Sequence, residues 1–310
     1  MTSPFGFGPN THVLKHGEKI YALVEGGVSP VIMDSEMNFL EEEPFPAADN
    51  KRFTAHPKID SDTGEMHAVS YDFGEYVNGL GQVHYVTIDS NGKLIKDQII
   101  ETPSRPMVHD CAITKNYVLI FDLPVTFNLG RRDDDNNPIG GDYPVVWNDK
   151  HTSRVGLQNK KTDEIIWIEV NPGFLFHIVN SYEDDNGQVI LDFCRYERLF
   201  DFDNPLPMGQ KPFLTRWILD PKTKTCSEEM LDDRPMEFSR VHPDFDGKQH
   251  RFGYLLNDGR LNNYFKHDFE KSETIAHDFG ESCQAAEPVF IPIKNSKSEY
   301  DCFFVGFVYD

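Results

Sequence analysis

The sequence predicts an all-β fold, and within that class a β-propeller. Short β-like runs follow one another along the whole chain, and no segment keeps a helical hydrophobic period over three turns. The 22 glycines and 20 prolines are spread throughout, as expected for many turns and few helices. Hairpin-rich segments of roughly 40–50 residues match the length of a propeller blade. A barrel or a sandwich stays open as an alternative, because self-similarity between the segments is weak.

The elements of this fold are strands bounded by turn residues. Asn91-Gly92 and Asp258-Gly259 each separate two β runs, which is a strong hairpin signal. The stretch FTAHPKIDSDTGEMHAVSYDF, residues 53–73, predicts another hairpin with an acidic, turn-rich centre. The β-like runs lie at residues 19–27, 81–100, 117–127, 165–170, 188–196, 213–231, 250–269 and 300–310.

The charge and the cysteines narrow the partners and the location. The 51 acidic and 30 basic residues give a net charge of −21, which repels nucleic-acid phosphates and anionic membranes. No apolar run approaches the roughly 18 residues of a spanning helix, and residues 1–27 do not resemble a signal peptide. Five scattered cysteines without a CxxC pair favour a reducing, cytoplasmic location. The acidic run 133–137 predicts a solvated loop, because EF-hand spacing is missing.

Three of the twelve histidines stand at or near strand boundaries. They are His56 in TAHPK, His109 in PMVHDCAIT and His177 in PGFLFHIVN, at spacings of the order of a blade. Inner strands of a propeller point to one axis, where neutral imidazoles would converge and suit Fe(II), Zn(II) or Cu(II). Long-range spacing leaves open the alternative of three hydrogen-bonded core histidines. The histidines interpreted as ordinary, in polar surroundings, are His84, His151, His250, His267 and His277.

Three glutamates lie in otherwise apolar contexts. They are Glu25 in ALVEGG, Glu237 in RPMEFSR and Glu287 in AAEPVFIPI. A metal-bound histidine usually gives its second ring N–H to a carboxylate, and a glutamate is rarely buried unless it is paired. These residues are therefore candidates to orient the histidines, although each taken singly is more often a surface residue.

Six stretches in order resemble the carotenoid cleavage oxygenases, a family that includes the lignostilbene dioxygenases. They are NTHVLKHGEKIYALVEGG, TAHPKIDSDTGE, MVHDCAIT, FHIVNSYED, EFSRVHP and EPVFIPI with the final FVYD, and they cover nearly the whole chain. The resemblance implies a seven-bladed β-propeller with non-haem Fe(II) on its axis, held by four histidines. It implies a dioxygenase that uses dioxygen to cleave a conjugated C=C bond of an apolar small molecule into two carbonyl products.

The resemblance also carries over residue by residue. His56, His109 and His177 match the first three iron ligands. In the family, three glutamates surround the iron-binding histidines. The residues that match them here are Glu25, Glu237 and Glu287. Thr11, in the NTH triplet, matches a threonine beside the open iron position and is the catalytic candidate.

The chain departs from the family pattern at both ends. The family's fourth histidine lies beyond the FVYD segment, which here ends the sequence at Asp310. The segment before the NTH triplet is also shorter than in the family. The expectation is a single domain, residues 1–310, that forms an incomplete propeller of about five blades with open edges and exposed apolar faces.

Substrate and activity are left with alternatives. Val24 stands where the stilbene-cleaving branch often has a lysine, which favours a carotenoid or apocarotenoid over a stilbene. A non-catalytic fragment of the family and a calcium-dependent propeller hydrolase of the lactonase type are further alternatives. A peripheral membrane contact and the oligomeric state stay open.

Overall fold

The computed structural model describes residues 9–25, 29–42, 53–71, 81–127, 144–201, 209–296 and 298–310. Within these ranges the chain consists of antiparallel strands and one three-residue 3-10 helix, Pro243–Phe245. No helix in these ranges is both long enough and apolar enough to pass through a membrane. The acidic run 133–137, predicted to be a solvated loop, lies outside the described residues.

The strands are short and evenly distributed along the chain. They are β1 His12–His16, β2 Lys19–Leu23, β3 Val31–Met33, β4 Phe39–Glu42, β5 Lys58–Ile59, β6 Met66–Tyr71, β7 Gly81–Ile88, β8 Leu94–Thr102, β9 Ala112–Ile113, β10 Tyr117–Asp122, β11 Val125–Phe127, β12 Val145–Trp147, β13 Arg154–Asn159, β14 Ile165–Glu169, β15 Phe174–Glu183, β16 Val189–Tyr196, β17 Phe213–Asp220, β18 Thr225–Arg240, β19 Phe252–Asn257, β20 Asn263–Asp268, β21 Glu273–Asp278, β22 Gln284–Ala285, β23 Val289–Pro292, β24 Cys302–Val305 and β25 Val308–Tyr309.

The chain divides into two compact units, residues 1–111 with 120–152 and residues 112–119 with 153–310. The first unit contains two four-stranded meanders, β1-β2-β3-β4 and β5-β6-β7-β8, and the pair β11-β12. β6 is buried along its whole length, whereas β8 alternates mostly between half-buried and exposed residues, as an outer strand with one face in solvent does. The first-unit core includes Tyr21, Phe53 and Met66.

The second unit contains β9, residues 117–119 of β10, β13 and β14, which belong to one sheet, and a seven-stranded sheet that runs in sequence order from β15 to β21. Its strand β18 is shared: residues 225–230 and Pro235 pair with β17, and residues 236–240 pair with β19. Two four-stranded meanders therefore meet in one strand of 16 residues. Four-stranded antiparallel meanders are the units from which propeller blades are made.

Short-range turn signals predicted the hairpins correctly. The Asn91-Gly92 turn joins β7 to β8, and the Gly92 N–H donates to the Asp89 carbonyl over 2.9 Å. Gly92 and Gly259 have φ values of 84° and 98°, in the left-handed region that favours glycine. The hairpin predicted at 53–73 is formed by β5 and β6, with its turn at residues 60–65.

Apolar side chains are exposed on the hairpin of β23 and β24. Val289, Phe303 and Val305 are each more than half exposed. Ile291 on the same hairpin is also exposed. This hairpin therefore exposes to solvent a sheet face with apolar side chains of the kind found in a protein core.

Four of the five histidines interpreted as ordinary have buried side chains. His84, His250 and His267 are buried. The His151 side chain is also buried, with its Nδ1 2.6 Å from the Ser104 hydroxyl and its Nε2 2.9 Å from an Asp122 carboxylate oxygen. Of the histidines so interpreted, only His277 is exposed. Neighbours in sequence do not define the surroundings of a strand residue, because its side chain faces other strands.

Candidate metal centre

Both units carry histidines whose ring nitrogens could bind a metal ion. Among the residues that the structure describes, these are His56 and His109 in the first unit and His177 in the second. These are the histidines that the sequence singled out. Imidazole is a neutral nitrogen ligand that binds first-row divalent metals well.

His56 is positioned by residues close to it in sequence. Pro57 follows it and favours an extended backbone at the preceding residue, just before β5. The His56 N–H donates to the Thr54 hydroxyl over 3.2 Å. The His12 ring lies 6.2 Å from the His56 ring, centroid to centroid, in a stacked arrangement. His12 Nδ1 is 3.0 Å from the Ala55 carbonyl oxygen.

His109 lies in the loop between β8 and β9, and this loop is bound to β11. The Met107 N–H donates to the Val125 carbonyl over 2.9 Å. The Phe127 N–H donates to the Arg105 carbonyl over 2.8 Å. The loop therefore has backbone hydrogen bonds to a strand, which fix its path before His109.

An ion pair joins the segments that carry His56 and His109. Lys58 Nζ lies 3.0 Å from an Asp110 carboxylate oxygen, and the Asp110 side chain is almost completely buried. The His56 and His109 ring centroids are 4.7 Å apart. The neighbours of each histidine thus hold the two rings side by side.

Glu25 contacts the Nδ1 side of the His109 ring. His109 Nδ1 lies 2.8 Å from Glu25 Oε2, and the Tyr71 hydroxyl donates to Glu25 Oε1 over 2.6 Å. An ionised carboxylate only accepts hydrogen bonds, so Nδ1 carries the ring proton and Nε2 carries the lone pair. Burial, and then the Glu25 charge, raise the pKa of Tyr71 well above its usual value.

His177 and Glu237 form the matching pair in the second unit. His177 Nδ1 lies 2.5 Å from Glu237 Oε2, and the Phe238 N–H donates to the same oxygen over 2.6 Å. Both residues stand at irregular places in their strands. The β15–β16 register shifts on either side of Ile178, and the β18–β19 register shifts between Glu237 and Arg240. Such bulges re-aim side chains out of the regular alternation.

Glu237 also affects the groups around it. Burial raises the pKa of Tyr196 and of Asp258, and the Glu237 charge adds to the rise in both. Phe238 has a φ of 53°, an uncommon value for a bulky residue. The backbone therefore adopts a strained conformation where its N–H meets the carboxylate.

The remaining predicted residues have other partners. Glu287 pairs with the Arg240 guanidinium. Thr11 is exposed, and its hydroxyl donates to the Asn10 side chain over 2.9 Å. The roles predicted for Glu287 and Thr11 stay predictions.

Comparison with known proteins decides the family. Residues 8–310 match the family model described as "Retinal pigment epithelial membrane protein". A carotenoid cleavage oxygenase of Mycobacterium tuberculosis is 31% identical, over 97% of this chain and 69% of its own length. The chain belongs to the carotenoid cleavage oxygenase family. By this family resemblance it is an oxygenase.

Other members of the carotenoid cleavage oxygenase family show the same relation. The apocarotenoid-15,15'-oxygenase of Synechocystis is 26% identical over 97% of this chain and 64% of its own length. The crystal structure of cobalt-substituted Synechocystis apocarotenoid oxygenase has a TM-score of 0.83, at 24% identity, over 97% of this chain and 66% of that one. This likeness confirms the predicted propeller-type fold. The chain spans about two thirds of the length of these relatives.

The histidines of this oxygenase-family chain have the chemistry of ligands for a divalent metal. His109 and His177 each donate a hydrogen bond from Nδ1 to a glutamate, which leaves the Nε2 lone pair to bind a metal. Metal-binding histidines are usually oriented in this way, and the partner raises the basicity of the ligand nitrogen. The donor set is therefore suited to Fe(II), Zn(II) or Cu(II) by its chemistry.

Two contacts of the site were missed at the level of sequence. Lys58 and Asp110 are each within two residues of a singled-out histidine, and this adjacency is the signal that could have paired them. Tyr71 lies in a strand with no feature that connects it to Glu25. Its contact spans 46 positions of the chain, and such contacts depend on how the sheets pack.

Replacing Glu237 with glutamine is expected to weaken metal binding about 10- to 100-fold, the usual loss when such a partner is changed. In the native chain one carboxylate oxygen accepts from both His177 and the Phe238 N–H. A glutamine has one oxygen and one NH₂ group, so a wrong orientation places a donor against a donor. Titration with Co(II), followed by its visible absorption, measures the change. Glu229→Gln on the exposed part of β18 is the matched control. Equal affinity of the two variants would contradict the role of Glu237.

Proposed function

We propose that this chain binds Fe(II) through His56, His109 and His177 and uses dioxygen to cleave a conjugated C=C bond. The substrate class is a carotenoid or apocarotenoid. Family membership supports the reaction class, and the names of the mycobacterial and Synechocystis relatives support the substrate class. The observation that carries the proposal is a pair of hydrogen bonds. Glu25 accepts one from His109 Nδ1, and Glu237 accepts the other from His177 Nδ1.

The side chains of this proposal bind and orient. His56, His109 and His177 supply lone pairs, while Glu25 and Glu237 fix ring orientation. When bound, Fe(II) supplies the unpaired electrons through which dioxygen reacts with a closed-shell alkene. One dioxygen and one C=C bond give two C=O bonds, so the overall reaction needs no proton donor or acceptor. Neutral ligands leave the double positive charge of the metal uncompensated.

The test is oxygen-dependent turnover by the chain as it exists. Protein loaded with Fe(II) under nitrogen is given an apocarotenal, and in parallel a hydroxystilbene, before air is admitted. We expect carbonyl products from the apocarotenal only after air is admitted, with label from isotopic dioxygen in both products before exchange. Cleavage of the stilbene alone would move the substrate class to stilbenes. A folded, iron-loaded chain that takes up no oxygen with either compound would overturn the proposal in favour of a non-catalytic member.

The location and the membrane contact are part of the same proposal. A cytoplasmic location is supported by the scattered cysteines, all of which are free thiols. The apolar substrate class would bring the protein to lipid surfaces, although the net charge of −21 opposes binding to anionic ones.

A further inference from the structure

Tyr71 stands behind Glu25 in a chain of three side chains. Its hydroxyl donates to Glu25 Oε1 over 2.6 Å, and Glu25 Oε2 lies 2.8 Å from His109 Nδ1. Each carboxylate oxygen thus has a donor of its own. A carboxylate held at both oxygens has lost the rotation that one donor alone would permit, so its orientation toward His109 is defined.

The direction of these hydrogen bonds follows from the groups involved. An ionised glutamate has no proton to give, so the tyrosine must be the donor at one oxygen and the imidazole the donor at the other. Burial and the adjacent charge raise the pKa of Tyr71. The hydroxyl therefore keeps the proton it donates at neutral pH.

Tyr71 is itself held in place. It is the last residue of β6, where it pairs with Val83 of β7. Its side chain is buried, and its ring lies 5.1 Å from the Phe127 ring, centroid to centroid. A donor fixed by its own packing can orient the next group at little further cost in side-chain entropy.

We propose that Tyr71 is a positioning residue that acts through Glu25 to hold His109 in the tautomer and orientation of a metal ligand. The proposal rests on the metal site of the proposed function. Tyr71 reaches His109 through Glu25. Its effect is to keep the Nδ1 proton of His109 directed at a carboxylate, so that the lone pair of Nε2 faces the metal.

The first readout is the His109 tautomer in metal-free protein. NMR of isotope-labelled histidine nitrogens distinguishes a ring protonated at Nδ1 from one protonated at Nε2. We expect the Nδ1-protonated form in the native chain and a mixture of tautomers in Tyr71→Phe, which removes only the hydroxyl. Tyr85→Phe is the matched control, because Tyr85 is a buried tyrosine of the same sheet whose hydroxyl bonds His67 and Thr87.

The second readout is Co(II) binding by visible absorption. We expect Tyr71→Phe to raise the Kd about 10-fold and to change the spectrum of the loaded protein, with Tyr85→Phe unchanged in both. In a Glu25→Gln background, Tyr71→Phe should add no further loss, since it acts through Glu25. An unchanged tautomer in Tyr71→Phe, or an additive loss in the double variant, would overturn the proposal. If the native chain binds no Co(II), the proposed function fails, and the tautomer result alone decides the role of Tyr71.

Discussion

Replacing His109 with alanine is expected to reduce bound iron from about one per chain to near zero after gel filtration. The variant removes one of the three proposed ligands and leaves Glu25 without its histidine donor. Two imidazoles do not complete the facial triad with which three ligands hold non-haem iron. Protein is loaded with Fe(II) under nitrogen and freed of unbound metal, and its iron is then measured by elemental analysis. Oxygen-dependent cleavage should be lost with the iron.

The control for this loss is His277→Ala. His277 is exposed on β21 and is not one of the three proposed ligands. It should keep iron and activity at the native level. Thermal unfolding of both metal-free variants shows whether the fold is retained. Full iron occupancy in a folded His109→Ala variant would exclude His109 as a ligand.

Replacing Arg216 with leucine is expected to lower the free energy of unfolding by about 3–5 kcal/mol at neutral pH. Arg216 binds the completely buried Asp192 carboxylate through two hydrogen bonds of 2.7 and 2.8 Å. Without Arg216, the Asp192 carboxylate is a buried charge with neither an ionic partner nor water to solvate it. Urea unfolding of metal-free protein measures the change.

The loss of stability in Arg216→Leu should depend on pH. Burial raises the pKa of Asp192, and Arg216 acts against that rise. In the variant the folded-state pKa rises further above the unfolded value. A raised carboxyl pKa stabilises the fold at low pH, and this stability is lost as pH rises through the folded-state pKa. The deficit should therefore be smallest under acid conditions and largest at neutral pH.

Two other titratable groups near Asp192 also affect the pH dependence of this deficit. His250 Nε2 lies 3.6 Å from Asp192 Oδ2. Burial, Arg216 and His267 lower the pKa of His250 to about 3. Loss of Arg216 permits this ring to take up a proton more readily beside the carboxylate. Glu229 contributes a smaller repulsion to Asp192.

A second substitution tests the cause of this instability. Adding Asp192→Leu to the Arg216→Leu chain removes the unpaired charge and should recover most of the stability, because apolar pairs often replace buried ion pairs. A double variant as unstable as Arg216→Leu alone, or a deficit that does not vary with pH, would show that the arginine contributes by packing on Phe269.

The local parts of the fold could be predicted from the sequence. Hairpins such as Asn91-Gly92 depend on backbone conformations that few residues adopt, so a dipeptide is enough to indicate them. Position near strand boundaries singled out His56, His109 and His177. The family resemblance then marked them as ligands, because spacing alone did not separate ligands from core residues. The distinction between ligand and core histidines thus came from the family resemblance and not from the hydrophobic periodicity.

The supporting contacts could not be predicted, for a physical reason. His177 and Glu237 meet where their strands are irregular, and a regular alternation gives no indication of which residue a bulge turns. The burial of His250 and the contact of Tyr71 with Glu25 depend on neighbouring strands. Such tertiary contacts are set by register and packing, and they leave little trace in the flanking residues.

The shared strand β18 has a consequence for how the second unit opens. One continuous backbone supplies hydrogen bonds to β17 in its first part and to β19 in its last part. Neither meander can detach from this strand without exposing the end of the other. We therefore expect the two meanders to open cooperatively, with the segment from β15 to β21 as a single foldon. The His177–Glu237 pair lies within that foldon, so it persists or is lost together with both meanders.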